Sequence, residues 1–367
     1  MKRIKQRPHE FWMARALQWA RRGEGLTRPN PPVGAVAVKN GRIVGEGYHR
    51  RADGPHAEVV ALAKAGKNAR GCTLYITLEP CCTWGKTPPC TDMILSSGVK
   101  RVVVSARDPN PSHSGRGLTT LRRRGLRVTE GVCAEEGRDL IAPFTKWVGR
   151  RLPYVTLKLG MSVDGKIADR CRRSRWITGP EARDKVHALR RRVDAVLVGG
   201  GTVRNDNPSL LPRPDHGRKP YRVVVSCHGR IPRTAAILTD GAVGQTLVAV
   251  SKHCPANITN GLKKTGAEVM DLPAVRQRLS LKALLRALAG RGCLHVLCEG
   301  GSELAESMIR AGVIDEYLFF VSPCVIGGLE STTAVGGQGW LLGRNPSLRF
   351  VSCEQVGRDI MIRALPA

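Results

Sequence analysis

No stretch of this 367-residue chain approaches 18 uninterrupted apolar residues, so the sequence offers no membrane-spanning helix. The basic start, Met1 to Arg7, is not followed by the apolar core of a secretory signal, and a cytoplasmic protein is expected. Acidic side chains are scarce: 30 Asp and Glu stand against 59 Lys and Arg, a formal charge of +29. Such an excess suits a polyanionic or phosphorylated partner, or basic side chains decorating solvated faces. No basic run is longer than three or four residues. Aromatic residues make up only 4% of the chain, and the second half holds no basic, aromatic-studded module of the kind that binds single-stranded nucleic acid. There is no internal repeat, no low-complexity tract and, in the second half, no Gly-x-Gly-x-x-Gly, which argues against a Rossmann domain. The twelve cysteines are irregularly spaced in a large chain, which fits a reduced protein with one metal site better than a disulfide framework.

What is present is alternation of helical and extended patterns, the mark of an α/β protein long enough for two cores. In the first half, helical spacing runs over Glu10 to Arg22, His56 to Ala65, Pro89 to Ser97 and Gly117 to Arg124. Strands are expected at Val33 to Lys39, Arg42 to Tyr48, Cys72 to Leu78, Arg101 to Ser105 and Leu126 to Thr129. Asn40-Gly41 is a hairpin turn between the first two strands. After Gly131 the pattern weakens, and it restarts at the strand Val155 to Gly160. A boundary therefore falls near 146–153, giving domains 1–148 and 149–367. The second half alternates again through Glu316 to Val321, with a Pro- and Asn-rich functional loop at Val203 to Lys219.

The triplet His56-Ala57-Glu58 is followed by Pro80-Cys81 and then by Pro89-Cys90. One imidazole and two thiolates can hold a tetrahedral zinc and leave a position for water. Glu58 stands outside that ligand set, placed to move protons on the water, an arrangement that marks zinc-dependent base deaminases. Cys72 and Cys82 are rival ligands. In the second half, Gly199-Gly200-Gly201-Thr202 and Glu299-Gly300-Gly301-Ser302 each follow a strand, and such glycine turns suit phosphate cradling.

The stretch Thr77 to Cys90 places eight residues between the two cysteines. With Asn30-Pro31-Pro32, Asp108-Pro109-Asn110-Pro111, Leu157-Lys158-Leu159-Gly160-Met161, Ser174-Arg175-Trp176, Asp206-Asn207-Pro208 and Glu299-Gly300-Gly301, it resembles the bifunctional riboflavin-biosynthesis deaminase–reductase family over nearly the whole chain. The resemblance implies a cytidine-deaminase-like three-layer α/β/α domain followed by a dihydrofolate-reductase-like α/β domain. It implies hydrolytic deamination of 2,5-diamino-6-(5-phosphoribosylamino)pyrimidin-4-one, then NADPH-dependent reduction of the ribosyl to the ribityl chain. His56, Cys81 and Cys90 would hold zinc and Glu58 would relay protons. Asn30, Lys86, Thr87, Asp108 and Asn110 would line the deaminase pocket. Met161, Trp176, Thr202, Asp206 and the run Gly301, Ser302, Glu303, Leu304, Ala305, Glu306, Ser307 would meet NADPH. Ser174, Arg190, Leu210, Arg213 and Glu299 would hold the sugar phosphate, with Lys158 near the reacting carbon. The two arginines are the expected phosphate grip. Asp206 and Glu299 are the acidic candidates for proton donor. The partners implied are phosphorylated pyrimidine ribosylamines, with no nucleic acid and no membrane, and a homo-oligomer is expected. One departure is visible: the family usually carries Ser-His after the first ligand cysteine, and this chain carries Cys82-Thr83. The competing expectations are retention of only one activity, or a nucleic-acid base deaminase.

Overall fold

The structure is a computed structural model and describes residues 7–84, 88–215 and 218–367. By its internal contacts the chain divides into Met1–Arg151 and Leu152–Ala367. In the first unit, α1 (His9–Arg21) precedes the strands β1 (Gly34–Lys39) and β2 (Arg42–Tyr48). There follow α2 (Ala57–Ala65), β3 (Thr73–Leu78), α3 (Cys90–Ser96), β4 (Arg101–Ala106), α4 (Arg116–Arg123) and β5 (Arg127–Glu130). The unit closes with α5 (Ala134–Arg150). Asn40 and Gly41 both take positive φ, the conformation that a tight two-residue hairpin between β1 and β2 demands. The sheet order is β2-β1-β3-β4-β5, antiparallel at β2-β1-β3 and parallel from β3 to β5.

Three layers result. The apolar face of α1, Trp12, Met13, Ala16, Leu17 and Ala20, packs with Leu140 of α5 on one side of the sheet against Val36, Val38, Tyr75 and Val103. On the other side Ala61 and Leu62 of α2, Ile94 of α3 and Leu118 and Leu121 of α4 cover Ala35, Leu74, Ile76 and Val104. The helix α5 corrects the sequence reading, which lost the pattern after Gly131. Gly137 and Pro143 interrupt its periodicity, and only four of its seventeen residues are buried.

The second unit opens with β6 (Tyr154–Ser162), β7 (Lys166–Ala168), α6 (Pro180–Arg192), β8 (Ala195–Gly199) and α7 (Gly200–Asp206). It continues with β9 (Tyr221–Val225), α8 (Ala236–Thr239), β10 (Thr246–Ser251), α9 (Ala256–Lys263) and β11 (Glu268–Leu272). A short hairpin, β12 (Ala274–Val275) and β13 (Arg278–Leu279), leads to α10 (Leu281–Gly290), β14 (His295–Cys298) and α11 (Ser302–Arg310). Last come β15 (Glu316–Ser322), β16 (Thr332–Thr333), β17 (Leu348–Val356) and β18 (Asp359–Pro366). Nine of these strands form one sheet in the order β11-β10-β9-β8-β14-β6-β15-β18-β17. It is parallel from β11 to β15 and ends in an antiparallel hairpin. The loop expected over Val203 to Lys219 begins as the end of α7, a small revision. The carboxyl ends of β8, β14 and β6 meet at the centre of the sheet, where crossovers diverge and a ligand crevice opens.

Candidate active sites

In the first unit, two helix starts converge. His56 is the residue that precedes α2, and Cys90 is the first residue of α3. Cys81 follows β3 on the loop, and its Sγ accepts the backbone N–H of Cys90 at 3.3 Å. His56 Nδ1 lies 3.1 Å from Cys90 Sγ and 3.7 Å from Cys81 Sγ, and the three donor atoms lie within 4.8 Å of one another. A hydrogen bond from the Cys90 thiol draws Cys81 down to about 4, against the effect of burial, and His56 assists. The same contact and burial drive Cys90 up. Two sulfurs and an imidazole thus share a proton where a divalent cation fits. This soft, tetrahedral-competent donor set suits zinc. The rivals fall away: Cys72 is buried in the apolar layer beneath the sheet and pushed up to about 11, and Cys82 is outside the cluster.

Glu58, in the first turn of the same helix, is buried. Burial pushes its carboxyl up to about 7, opposed by His56 and assisted by Cys81. Around it stand residues that the sequence reading missed. The His49 ring meets His56 edge-on at 5.2 Å between centroids and bonds Asn30 Nδ2 at 3.2 Å. Glu79 is buried and accepts the backbone N–H groups of Asp108, Gly115 and Gly117 at 3.2, 2.9 and 3.0 Å. Its place directly before Pro80-Cys81 was the available signal. Asp108 in turn caps the N–H of Asn110 at 2.8 Å, and burial raises its pKa against that bond. Where Thr83 replaces the family's histidine, a different imidazole is close: His113 Nδ1 lies 3.9 Å from Cys82 Sγ. Lys86 and Thr87 lie outside the described residues.

In the second unit a cavity of about 1100 Å³ opens at the carboxyl ends of the central strands. All six expected sugar-phosphate residues, Lys158, Ser174, Arg190, Leu210, Arg213 and Glu299, line it. Of the expected cofactor contacts, Trp176, Thr202, Asp206 and Gly301 to Leu304 line it as well. Met161, Ala305, Glu306 and Ser307 do not. Met161 and Ala305 pack on the core, Glu306 pairs with Arg278 and Arg310, and the Ser307 hydroxyl turns to Glu306. A helix shows each face only every third or fourth residue, so a run of seven consecutive contacts on α11 was too many. Trp176 is largely exposed beside Arg183, whose guanidinium sits 4.5 Å from its ring centre, so it is no core aromatic.

The electrostatics revise two roles. Arg190 is committed to Glu299 by two bonds, Nε to Oε1 at 2.6 Å and Nη2 to Oε2 at 2.9 Å, and donates to the Leu211 carbonyl. Of the two expected phosphate grips, Arg213 is therefore the uncommitted guanidinium. Burial raises Glu299, but Arg190 and then Lys158 outweigh it and hold the carboxyl at about 2. A group that stays ionised cannot donate a proton, which removes Glu299 from that role; of the acidic candidates Asp206 remains, and the Lys158 ammonium lines the same cavity. The Asp206 carboxylate accepts the Ser174 hydroxyl at 2.6 Å. The cavity fits a nicotinamide dinucleotide. Gly199, Gly201 and Gly301 line the cavity, and a Cβ on Gly301 would meet Thr202 Oγ1 at 3.2 Å. Backbone with no side chain in the way can face a phosphate at these turns.

The fold and the two sites define a class: a zinc-dependent deaminase of the cytidine-deaminase type joined to a dihydrofolate-reductase-like, NADPH-dependent reductase. Residues 6–106 match the cytidine and deoxycytidylate deaminase zinc-binding region, and residues 153–362 match the RibD C-terminal domain. The riboflavin biosynthesis protein RibD of Bacillus amyloliquefaciens is 40% identical over 359 residues, 97% of this chain and 96% of its own length. That of Escherichia coli K12 is 36% identical over 385 residues, 98% of this chain and 99% of its own. Among solved structures, a Thermotoga maritima protein titled diaminohydroxyphosphoribosylaminopyrimidine deaminase/5-amino-6-(5-phosphoribosylamino)uracil reductase superposes with a TM-score of 0.85 at 37% identity, covering 98% of each chain. Acinetobacter baumannii RibD, form 1, gives 0.85 at 34% identity with 98% of each chain covered. The chain belongs to the RibD family of bifunctional riboflavin-biosynthesis deaminase–reductases.

Proposed function

We propose that this protein removes the ring 2-amino group of 2,5-diamino-6-(5-phosphoribosylamino)pyrimidin-4-one as ammonia, and then reduces the ribosyl chain of the product to ribityl. The observation that carries the first step is the triad of donor atoms within 4.8 Å beside the buried Glu58. His56, Cys81 and Cys90 would hold a zinc, which would supply a water acidic enough for attack on the ring carbon near neutral pH. Glu58 takes one proton from the attacking water and gives it to a ring nitrogen, then takes the second from the hydroxyl now on the ring carbon and gives it to the departing amine. Its elevated pKa suits both giving and taking at pH 7. Asn30, Asp108 and Asn110, with Lys86 and Thr87, hold the pyrimidine and its phosphate, and Glu79 fixes the loop that carries two of them.

In the second unit the substrate's furanose opens to an imine or its equivalent, exposing C1′ to reduction. NADPH supplies the hydride. Trp176, Thr202, Asp206 and Gly301 to Leu304 position that cofactor, Arg213 holds the substrate phosphate, and Ser174 and Leu210 orient the ribosyl chain. The Lys158 ammonium lies in the fields of Glu299 and Arg190, and burial lowers its pKa, which eases proton release to the reacting nitrogen. A homo-oligomer is the assembly this reading favours. β17 is the edge of the large sheet, exposed along most of its length, and presents Phe350 to solvent.

The test is metal content with a coupled assay. The purified chain should carry about one zinc, release ammonia from the diaminopyrimidine phosphate, and then oxidise NADPH. Glu58→Gln should keep the zinc, lower ammonia release by about 10²–10⁴-fold, and still reduce the deaminated intermediate. Loss of both steps with the fold retained would overturn the assignment of separate sites.

A further inference from the structure

One side chain on the reductase cavity has no role in the scheme above. His187 lies on α6, which presents Arg183, Val186, His187 and Arg190 to the cavity at helical spacing. Its Nδ1 is sealed from solvent and has no hydrogen-bond partner. The ring faces the backbone carbonyl of Leu211, the same carbonyl that accepts Arg190 Nη1 at 3.2 Å. Burial, followed by the positive charges of Arg190 and Arg213, disfavours a second ring proton, and Glu299 only partly offsets them. The imidazole is therefore neutral, with one N–H and one lone pair. With Nδ1 closed off from solvent and unpartnered on the protein side, Nε2 is the ring nitrogen left to meet a ligand.

We propose that His187 is a substrate-binding residue of the reductase, its Nε2 hydrogen-bonding a hydroxyl of the ribosyl chain, which can both donate and accept. The inference rests on the reductase reading above and names a contact within it. A neutral imidazole is a weak partner for a phosphate dianion, for which the Arg213 guanidinium stands on the same wall. Sugar hydroxyls are the donors that the substrate brings. A site built to hydrogen-bond a hydroxyl discriminates strongly, because an acceptor left unpaired in a closed cavity loses its water as well.

The experiment uses the full-length chain, with the deaminated intermediate generated by its own first unit. Steady-state constants for the sugar phosphate and for NADPH are measured for the wild type, His187→Ala, His187→Gln and His187→Asn. The alanine variant should lower kcat/KM for the sugar phosphate by about 10-fold to 100-fold, chiefly through KM, with KM for NADPH and ammonia release unchanged. Gln carries an amide atom to the place of Nε2 and should restore most of the loss. Asn reaches only the place of Nδ1 and should not. An unchanged sugar-phosphate KM in the alanine variant would overturn the proposal. So would equal losses in all three variants, which mark a packing role, or a loss confined to NADPH. A wild-type chain that releases ammonia and oxidises no NADPH would overturn the reductase reading itself, and the contact with it.

Discussion

Two buried carboxyls in this protein sit on opposite sides of the ordinary range, and their neighbours decide which. Glu58 has lost its water and gained only a modest cationic partner, so burial wins and the group reaches about 7. Glu299 is enclosed too, its side chain 9% exposed, but it is forked by Arg190 and faced by Lys158, so charge wins and the group falls to about 2. Glu58 was legible in the sequence as a candidate, because the His-x-Glu triplet sets it beside a metal-ligand histidine within two residues. The state of Glu299 was not, because Arg190 is 109 residues away. A depressed carboxyl stabilises the fold above its unfolded pKa, and that stabilisation is lost as pH falls through the folded value. Glu299→Gln should therefore destabilise the fold at neutral pH, toward the lower end of the roughly 3–5 kcal/mol of a broken buried pair, because an amide can accept from Arg190 but cannot balance its charge. The gap to the wild type should narrow between pH 4.5 and pH 2, as urea titrations across that range would record.

At the scale of elements, close backbone approach holds the deaminase helix in place. A Cβ on Gly45 of β2 would lie 2.1 Å from the Ala61 carbonyl oxygen and 2.7 Å from the Ala65 nitrogen of α2. These are backbone atoms that no rotamer can move aside. Gly45→Ala should shift α2, which carries Glu58, lower the melting temperature at a cost of about 1–3 kcal/mol, and depress ammonia release more than NADPH oxidation. In the second unit, the wholly buried Arg222 of β9 pairs with Asp240 at 2.6 Å and donates to the Ser209 carbonyl at 3.1 Å, next to Leu210 on the cavity wall. Arg222→Met leaves Asp240 without its cation but still half-solvated, so the loss should be toward the lower end of the 3–5 kcal/mol typical of a broken buried pair, with a raised sugar-phosphate KM. Denaturation and steady-state assays check both. Strands whose faces differ in polarity, such as β2, were legible from alternation. The strand β17 was not, because nearly all of it is exposed and no contrast between faces marks it. The helix α5 was hidden by Gly137 and Pro143.

For the molecule as a whole, the metal chemistry and the hydride chemistry belong to different compact units, each with its own buried core. Removing zinc with a chelator should abolish ammonia release and leave reduction of the deaminated intermediate unchanged, and readdition of zinc should restore the first step. Simultaneous loss of NADPH oxidation at intact secondary structure would contradict this separation. The sequence by itself marked His56, Cys81 and Cys90, which the fold brings within 4.8 Å of one another, the Glu58 carboxyl beside them and the division into two units. Zinc tolerates few donor types, and helix starts with flanking prolines announce themselves within a few residues. Only the tertiary structure decided that Arg190 serves Glu299, that Ala305 and Glu306 turn into the core, and that His187 reaches the cavity. Those outcomes depend on which faces of distant strands and helices meet, and on the charges gathered in the low-dielectric space between them, neither of which is written in any local stretch of chain.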